Sequence, residues 1–566
     1  MRITPKINND LFKITDLKVS IDGSLILNNL NFSISKNQIL AIVGESGSGK
    51  TITALSLLGL LPEKKLKQSG SISFNSFSLI GLKQKQWQKI RGNKIGVVFQ
   101  EPQSSLNPSM RCGSQIKEVL DVHFPKKFKS KECRQLIIEQ LIQVKLPDPN
   151  RIYQAYPHEI SGGQKQRVMI AMALICKPQL LIADEPTTAL DVLVQKDIIE
   201  LIKEIQLTNS MSVLFISHDL SLVSEIADKI IVMNKGVIVE QGKTSKIFSN
   251  PQDNYTKGLL NSRPPLNLRL KRLPTINDNH HLNLKENIID PTQRKIHHKN
   301  IYSKAPLLKI KKLSKKILVS SWFSSKKPFD ALKEITFKLY PGETLGILGA
   351  SGCGKSTLGR ALIFLDPATS GDVFFKNKLI NLKISSQIKD LRKNIQFVFQ
   401  DSYSALHPKK TIGNIIYETV NFYEKNSIEE NINRVNELLD QVGLSKEFFN
   451  RYSFEISGGQ RQRIVIARAL SVKPKVLIFD ESVAALDISV QAKILNLLNK
   501  LKKELNLSFI FISHDLSVVK HMSDKIMVMD KGRIIEYTEA DDLYKNPKSE
   551  ITKKLIDSIP GISFRN

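Results

Sequence analysis

Short runs of apolar residues alternate along the chain with stretches whose apolar residues recur at helical spacing. Three of the clearest runs, at 39–43, 180–183 and 213–216, have four or five apolar residues in succession. Such runs are typical of strands that are buried on both faces, as in a parallel sheet. Helical spacing over about 51–61 and over 115–144 predicts helices, so the sequence indicates an α/β fold.

Two further patterns predict the outer parts of this fold. Residues Phe12 to Phe32 alternate in a strand-like way on either side of Asp22-Gly23, which predicts an antiparallel flap ahead of the first buried strand. The polar-rich helical stretch at 115–144 predicts a helical subdomain, and a hairpin is predicted around Asn234-Lys235-Gly236. We therefore expect a mainly parallel sheet core with an antiparallel β flap and a helical subdomain.

The whole order of features repeats in the second half of the chain, from about Leu307. Three polar positions recur 296 residues later, so that Ser161, Asp184 and His218 reappear as Ser457, Asp480 and His514. Repetition at this period indicates a duplicated domain rather than a solenoid. We predict domains at 1–262 and 306–566, joined by a linker at 263–305 that is rich in Pro, Asn, His, Lys and Arg.

The first buried strand runs directly into a G-x-x-x-x-G-K-[ST] motif at 44–51, which opens a helix. Glycines let backbone N–H groups point inward toward phosphate oxygens, and the helix N-terminus adds its positive dipole end. The Lys50 side chain can reach the outer phosphates, and the Thr51 hydroxyl can hold Mg²⁺. One such match can arise by chance, but the motif recurs at 349–356. The sequence therefore predicts two phosphate-binding loops.

Composition limits the other possibilities. At 566 residues and 41% hydrophobic content the chain suits two or more globular domains, and no apolar run approaches the roughly 18 residues of a spanning helix. The N-terminal residues have no apolar core of a signal peptide. The cysteines show no metal-ligand spacing and indicate free thiols in a reducing cytosol; they are Cys112, Cys133, Cys176 and Cys353.

Two features leave alternatives open. The net charge of +29 is typical of chains that meet nucleic acid or an anionic membrane, but lysines spread along the chain favour a solvated basic surface. The linker histidines could form a metal site, although a solvated linker without a fixed scaffold is the simpler interpretation. These histidines are His280, His281, His297 and His298.

Further motifs follow each loop in a fixed order: a glutamine, Ser-Gly-Gly-Gln, an apolar strand ending in Asp-Glu, Ala-Leu-Asp and Ser-His. This ordered set, present twice, resembles the nucleotide-binding domain of ABC transporters. The stretches after Gln100 and Gln400, together with 250–260, resemble the peptide/nickel import subfamily, although Asp253-Asn254 stands where that subfamily has His-Pro. Some members of that subfamily carry two fused ATPase domains.

The resemblance implies two tandem P-loop NTPase (ABC ATPase) domains that hydrolyse ATP with Mg²⁺ and form an intramolecular dimer. Such a chain would energise a binding-protein-dependent importer, best matched to peptides or peptide-like solutes. Its partners would be two membrane-spanning permease subunits and, indirectly, an extracytoplasmic solute-binding protein. It would be peripheral on the cytoplasmic face of the bacterial inner membrane, and no nucleic acid is expected.

The alternative is a soluble tandem ABC ATPase that acts on ribosomes as a translation factor. Such proteins resemble this chain in having two domains and a basic surface, but they usually join the domains by a long helical hairpin. Prolines argue against a long helix in the linker, where they occur as Pro264, Pro265, Pro274 and Pro291.

The resemblance also assigns roles to individual residues. Glu185 and Glu481 would polarise the attacking water, and His218 and His514 would contact the γ-phosphate. Mg²⁺ would be held in the two sites by Thr51, Gln100 and Asp184, and by Ser356, Gln400 and Asp480. The phosphate-binding residues would be Gly44, Glu45, Ser46, Gly47, Ser48, Gly49, Lys50 and Thr51, and Gly349, Ala350, Ser351, Gly352, Cys353, Gly354, Lys355 and Ser356.

In the family, two domains face head to tail, so each loop would be completed by the Ser-Gly-Gly-Gln segment of the other domain. These segments are Ser161, Gly162, Gly163 and Gln164, and Ser457, Gly458, Gly459 and Gln460. The family also stacks adenine on an aromatic residue upstream of the loop. That position corresponds by spacing to Ile21 and Ile317, with Trp322 and Phe323 as aromatic alternatives in the second half.

Overall fold

The computed structural model describes residues 10–62, 65–188, 190–276, 278, 286–321, 324–424, 426–484 and 486–561. Contacts within the chain divide it into two compact units. The first unit comprises the residues up to Leu190, Val194–Leu260 and the residues from Pro560 onward, and the second comprises Asp191–Leu193 and Asn261–Ile559. Each unit contains one copy of the predicted domain, and we refer to them as the first and second units.

The strands of the first unit are β1 Asp10–Ile21, β2 Ser24–Ser35, β3 Ile39–Val43, β4 Leu66–Phe74, β5 Phe77–Ser78, β6 Ile95–Val98, β7 Leu180–Asp184, β8 Ser212–Ser217, β9 Lys229–Asn234 and β10 Val237–Lys243. The helices that begin in the first half are α1 Lys50–Leu57, α2 Gln84–Ile90, α3 Pro102–Ser105, α4 Cys112–His123, α5 Ser130–Gln143, α6 Pro149–Gln154, α7 Gly162–Leu174, α8 Val192–Thr208, α9 Leu220–Ile226, α10 Thr244–Ser249 and α11 Asn254–Asn261.

The second unit repeats this plan. Its strands are β11 Leu308–Ser321, β12 Ser324–Leu339, β13 Thr344–Leu348, β14 Ser370–Phe375, β15 Lys378–Leu379, β16 Ile395–Val398, β17 Val476–Asp480, β18 Ser508–Ile512, β19 Lys525–Asp530 and β20 Arg533–Glu539. Its helices are α12 Pro291–Tyr302, α13 Lys355–Leu362, α14 Ser385–Asn394, α15 Ile412–Tyr423, α16 Ile428–Gln441, α17 Gly458–Leu470, α18 Ile488–Glu504, α19 Leu516–Met522, α20 Ala540–Lys545 and α21 Glu550–Asp557.

The core of each unit is a six-stranded sheet, in the order β10-β9-β3-β8-β7-β6 and, in the second unit, β20-β19-β13-β18-β17-β16. All strands but the edge strand β10 or β20 run parallel. The predicted apolar strand β3 is buried throughout and pairs with both β8 and β9, as expected of a strand covered on both faces. The carboxyl ends of the parallel strands therefore meet at one edge of each sheet.

The predicted flap is a four-stranded antiparallel sheet in the order β2-β1-β4-β5, and β12-β11-β14-β15 repeats it. Asp22 and Gly23 turn the chain between β1 and β2 with positive φ angles of 51° and 82°, a conformation that suits a tight hairpin. Apolar side chains of the flap, such as Phe12, share one hydrophobic core with Leu40 and Ile42 of the parallel sheet. The flap is thereby fixed to the sheet by burial of apolar surface.

The stretch 115–144, predicted as a helical subdomain, forms the helices α4 and α5. One predicted helix differs in extent from the structure. Helix α1 ends at Leu57, well before Pro62, because Gly59 takes a left-handed φ of 58° that ends the helix. A Cβ at Gly59 would lie only 2.5 Å from the ring of Trp87, so the close approach of α2 also requires glycine there.

Residues 263–305, predicted as a linker, belong by their contacts to the second unit. Leu273 exchanges two backbone hydrogen bonds of 2.8 Å with the side chain of Asn496 on α18. The buried Arg269 donates to the carbonyls of His521 and Ser523 at 3.0 and 3.1 Å. This segment is therefore folded against the second unit over the residues that the structure describes.

Helix α12 is the most regular part of this segment. Asp290 caps it by accepting hydrogen bonds from the backbone of Thr292 and Gln293. Arg294 bonds to Glu539 and to Asp541, the latter at 3.0 Å from its Nε, and this guanidinium is largely buried. Buried arginines require such paired carboxylates, so α12 is held in place by specific charge pairing.

The linker histidines give no metal site within the described residues. His297 and His298 place their Nε2 atoms 3.6 and 3.5 Å from the buried Asp524 carboxylate, whereas His280 and His281 lie outside the described residues. No group of three or more His, Cys, Asp or Glu side chains that could hold a metal occurs in the part of the chain that the structure describes. In that same part, no helix is both long and apolar enough to cross a membrane.

Candidate functional site

The loop after β3 lies at the edge where the parallel strands end. Gly47 has a φ of 80°, and no other atom lies within 4 Å of the position that a Cβ would occupy there. At Gly49, with a φ of 102°, a Cβ would lie 2.7 Å from Leu27. The Lys50 side chain is 5% exposed, and its Nζ donates to the carbonyls of Gly44 and Glu45 at 2.8 and 3.0 Å. The loop is thus an open concave backbone with one buried ammonium group.

An acid and a hydroxyl meet beside this loop. Asp184 is the last residue of β7, and its Oδ1 lies 3.5 Å from the Thr51 hydroxyl. Burial raises the pKa of Asp184 to about 6, despite the nearby Thr51 and Lys50. A buried carboxylate with an adjacent hydroxyl is the hard oxygen set that Mg²⁺ prefers, and a cation there would offset the cost of burying the carboxylate. These residues therefore fit a magnesium ion.

Glu185, the next residue, is the centre of a hydrogen-bond cluster. Its Oε2 accepts from Gln100 Nε2 at 3.1 Å and from the Thr188 hydroxyl at 2.9 Å, and lies 3.1 Å from His218 Nδ1. Burial alone would raise the pKa of Glu185, but the hydrogen bond and charge of His218, with Lys50 and Thr188, lower it to about 2. The carboxylate is consequently ionised at neutral pH and can accept a hydrogen bond.

The second unit repeats the loop and the acid–hydroxyl pair. Lys355 Nζ donates to the carbonyls of Gly349 and Ala350 at 2.8 and 3.0 Å. The Ser356 hydroxyl donates to Asp480 Oδ1 at 2.8 Å, and burial raises the pKa of Asp480. The second loop is thus equipped as the first is.

The glutamate cluster is also repeated. Gln400 Nε2 donates to Glu481 Oε2 at 2.9 Å, and His514 Nδ1 lies 3.5 Å from the same oxygen. The pKa of Glu481 is lowered against the effect of burial, by the hydrogen bond and charge of His514 and by the charge of Lys355. Both Glu185 and Glu481 have left-handed φ angles, 47° and 48°, a strained conformation found where function fixes the geometry.

The Ser-Gly-Gly-Gln segments are helix N-termini. Ser161 Oγ accepts from the Gln164 backbone at 3.3 Å, and Gln164 Oε1 accepts from the Ser161 backbone at 3.0 Å, a capping box that opens α7. Ser457 and Gln460 make the same pair of bonds at the start of α17.

Glycine is present at the positions of these segments for different structural reasons. A Cβ at Gly163 would lie 2.7 Å from Val194 of α8, so close helix packing requires glycine there. At Gly162 and Gly458 the nearest atoms would be 3.7 Å away, which is ordinary contact. These two positions leave the helix N-terminus open, as a site for an anion requires.

The two positions that spacing assigns to adenine stacking hold isoleucine. Ile21 ends β1 and is half-buried, whereas Ile317 lies on β11 and is 38% exposed. Trp322 and Phe323 lie outside the described residues. Phe329, 52% exposed, is the direct strand partner of Ile317, a neighbour that the sequence pattern did not indicate. Only the β11–β12 register reveals it.

Thr188 was also missed as a partner of Glu185. It lies three residues after the glutamate, but the matching position in the second copy is Ala484, so comparison of the repeats gave no signal.

The comparisons with known proteins agree with this geometry. A family model described as "ABC transporter" matches residues 27–188 and again residues 332–484, and the model "Oligopeptide/dipeptide transporter, C-terminal region" matches residues 239–288. The chain belongs to the ABC transporter family. This membership confirms the predicted fold class and the resemblance to the peptide/nickel import type.

Similar ABC transporter proteins cover nearly the whole chain. The "Glutathione import ATP-binding protein GsiA" of Pectobacterium atrosepticum is 39% identical over 545 residues, which is 94% of this chain and 86% of that protein. The protein of the same name from Escherichia coli strain K12 is 40% identical over 547 residues, with the same coverage. The structure of cbiO1 from Clostridium perfringens, part of the ABC transporter complex cbiONQ, is 30% identical and covers 43% of this chain and 92% of its own, with a TM-score of 0.38.

Family membership decides the class of activity. The chain is an ATP-binding ATPase subunit of an ABC import system, as predicted. ATPases of such systems work with membrane permeases and are peripheral to the inner membrane. The roles given to individual residues of the site stay predictions.

Proposed function

We propose that the chain hydrolyses ATP at two Mg²⁺-dependent sites and thereby energises the uptake of peptides or small peptide-like solutes. The observation that carries the enzymatic part is the buried cluster around Glu185, whose glutamine and histidine partners are repeated around Glu481. The solute class is supported by the match to the oligopeptide/dipeptide C-terminal region. It is also supported by relatives that are named for the import of glutathione, a peptide-like molecule.

The loop lysines provide positive charge at the phosphates. Lys50 Nζ donates to two loop carbonyls, and these weak neutral partners can be exchanged for anionic phosphate oxygens. Gly47 leaves the concave face open to the phosphates, and the N-terminus of α1 adds its dipole. Lys355 and Gly352 take the same roles in the second unit, where Gly352 has a φ of 76° and equally open space.

In this proposal Mg²⁺ would be held by Thr51, Gln100 and Asp184, and by Ser356, Gln400 and Asp480, and the contacts of Thr51 with Asp184 and of Ser356 with Asp480 support this. A bound Mg²⁺ supplies charge neutralisation at the phosphate oxygens. Within the protein, Gln100 bonds to Glu185, so the proposed magnesium ligand and the proposed water-activating residue are directly connected. Asp184 and Glu185 are neighbours in the chain, which fixes the two carboxylates relative to each other.

Glu185 orients the attacking water by accepting a hydrogen bond from it. The low pKa of Glu185 keeps the carboxylate ionised, and Gln100, Thr188 and His218 fix its position. In this proposal His218 would also contact the γ-phosphate. Phosphoryl transfer depends mainly on such positioning and charge stabilisation, so the cluster meets the requirements of the reaction.

Each loop is, in this proposal, completed by the Ser-Gly-Gly-Gln segment of the other copy, as family membership supports. A test uses Gly162→Asp and Gly458→Asp, because both positions have room for a side chain and an added carboxylate would repel phosphate. In a Glu185→Gln/Glu481→Gln background we count ATP trapped per chain. Lys50→Ala with Gly458→Asp should leave one ATP, and Lys50→Ala with Gly162→Asp should leave none. The opposite result would contradict the pairing.

The finer proposal on partners is two permease subunits in the membrane and a solute-binding protein outside it. In the test, the tagged Glu185→Gln/Glu481→Gln chain is expressed in its native host, and the lysate is fractionated with ATP and Mg²⁺ to find what the chain associates with. Recovery with membranes, together with two multi-span subunits, is expected. The control is Lys50→Ala/Lys355→Ala, which should lose nucleotide binding. Sedimentation with ribosomes that is abolished by raised salt would instead support the translation-factor alternative.

A further inference from the structure

The start of α11, in the C-terminal extension of the first unit, is fixed to the hairpin β9–β10. The Glu240 carboxylate on β10 accepts hydrogen bonds from the backbone of Gln252 and Asp253 at 2.8 and 3.2 Å. Asp253 Oδ1 then accepts from the backbone of Tyr255 at 2.8 Å. The first turn of the helix, and with it the direction of the Tyr255 side chain, is thereby determined.

Tyr255 extends from this helix to the phosphate loop. Its side chain is buried, with only 8% of the residue exposed, and its hydroxyl accepts a hydrogen bond from the backbone N–H of Glu45 at 3.1 Å. The carbonyl of the same peptide group, that of Gly44, accepts from Lys50 Nζ at 2.8 Å. The Gly44–Glu45 peptide is therefore held from both sides, by the helix on one and by the loop lysine on the other.

The second unit keeps the scaffold but lacks the contact. Glu536 accepts hydrogen bonds from the backbone of Lys548 and Ser549, both at 3.1 Å, just as Glu240 does in the first unit. The position of Tyr255 is taken by Ile551, which has no hydroxyl, and the position of Glu45 is taken by Ala350. The contact between the extension and the loop is consequently specific to the first ATP site.

If Lys50 moves from the Gly44 carbonyl to a bound phosphate, the Gly44–Glu45 peptide loses the hydrogen bond from the lysine. The hydrogen bond to Tyr255 then keeps the peptide from turning, so that the loop N–H groups stay directed at the nucleotide. We propose that Tyr255 is a positioning residue for the first ATP site, and that it raises ATP affinity there and not at the second site. The inference rests on the proposed ATP binding by the two loops.

The test measures ATP·Mg²⁺ binding by the full chain at one site at a time. Lys355→Ala disables the second site. In this background Tyr255→Phe should raise the dissociation constant for ATP about fivefold, the effect of one lost hydrogen bond. Lys50→Ala leaves only the second site, and there the same substitution should change nothing. An equal loss at both sites, or none at the first, would overturn the proposal.

A second measurement separates positioning from mere stability. In the wild-type chain the Glu45 amide should exchange hydrogen more slowly than the matching Ala350 amide. Tyr255→Phe should speed exchange at Glu45 while exchange within α11 is unchanged; loss of protection throughout α11 would indicate a structural role and would contradict the proposal. In turnover, KM at the first site should rise with kcat unchanged. If the wild-type chain bound no ATP at either site, the proposed function itself would fail, which is a different result.

Discussion

The two units hold the same reactive groups in nearly the same geometry and differ in what surrounds them. Glu185 receives a hydrogen bond from Thr188, whereas the matching position beside Glu481 is Ala484. The phosphate loop of the first unit is joined to the C-terminal extension by Tyr255, and that of the second is not. The groups proposed to act directly in phosphoryl transfer are therefore the same in both units, whereas the residues around them differ.

The largest difference is on the surface that receives residues 261–305. In the second unit, Glu539 and Asp541 bind the arginines of this segment. The first unit has Lys243 and Ser245 at the matching positions, so it offers no acidic pair. Charge complementarity thus explains why the segment packs on the second unit.

The comparison of the two glutamate clusters is tested most strongly by replacing Glu185 and Glu481. Glu185→Gln with Glu481→Gln should lower ATP hydrolysis at least 100-fold, because the carboxylate that orients the attacking water is lost from both sites. Because only Glu185 has the added hydrogen bond from Thr188, Glu481→Gln, which leaves the first site, should keep about fivefold more activity than Glu185→Gln. Steady-state ATPase rates measure both differences. Unchanged activity in the double variant would refute the assigned roles, and equal single variants would contradict the difference between the two clusters.

The docked segment is tested by Arg294→Ala. Removing this buried guanidinium leaves Glu539 without its arginine partner, while Asp541 keeps Arg269 at 3.2 Å. The change should cost the second unit about 3 kcal/mol in free energy of unfolding. Hydrogen exchange should rise across α12. The matched control is Arg272→Ala in the same segment, whose side chain is 56% exposed and pairs with Asp278. That variant should lose less than about 1 kcal/mol, and an equal loss in both would contradict the buried pairing.

The pH dependence of stability should also differ between the units, because Glu343 stands where the first unit has Gln38. Both side chains accept a backbone hydrogen bond at the same place, from Tyr340 and Ser35 respectively, but Glu343 is fully buried beneath Tyr302 of α12, which donates to it at 3.0 Å. Burial raises the pKa of Glu343 to about 7. Between its unfolded pKa near 4.5 and this value, the folded state binds the proton more tightly.

The stability of the second unit should therefore fall as pH rises through this window, by up to about 3 kcal/mol. Glu343→Gln should remove most of this pH dependence. Urea unfolding between pH 4.5 and 7.5, followed by hydrogen exchange of β13, measures it. Gln38→Glu in the first unit serves as the reciprocal control, and an unaltered pH profile in Glu343→Gln would exclude Glu343 as its source.

The smallest expected effect is at Thr188. Thr188→Ala should lower the rate at the first site about fivefold, the equivalent of about 1 kcal/mol for one hydrogen bond to the glutamate. The rate is measured with Glu481→Gln in the background, so that the second site is silent. Ala484→Thr in the opposite background should raise the second site toward the first. Equal rates with and without the hydroxyl would leave Thr188 without a role in positioning.

The sequence was sufficient for the features whose geometry is local. The loop at 44–51 is contained in fewer than ten residues, and the buried runs predicted the sheet strands. The α1 terminus was placed too late because Pro62 gave the more familiar stop signal, whereas the left-handed Gly59 ends the helix earlier.

Contacts between distant parts of the chain could not be predicted in this way. Tyr255 and Glu45 are 210 residues apart, and Arg294 and Glu539 are 245 apart. Nothing in the local pattern of residues 263–305 distinguishes a solvated linker from a docked segment, because its folding depends on carboxylates that the sequence supplies much later. The same holds for Phe329, which only strand register brings beside Ile317.

The docked segment has a consequence for how the protein is made. Arg294 is synthesised 245 residues before Glu539. At the usual ~5–20 residues per second, this interval lasts about 10–50 s. During it the arginine-rich segment has no acidic surface to bind, whereas the parallel sheet of the first unit is already complete. Synthesis therefore proceeds with the parallel sheet of the first unit already made and followed by a basic segment whose acidic partners do not yet exist, and completion of the second unit depends on the last strands to be translated.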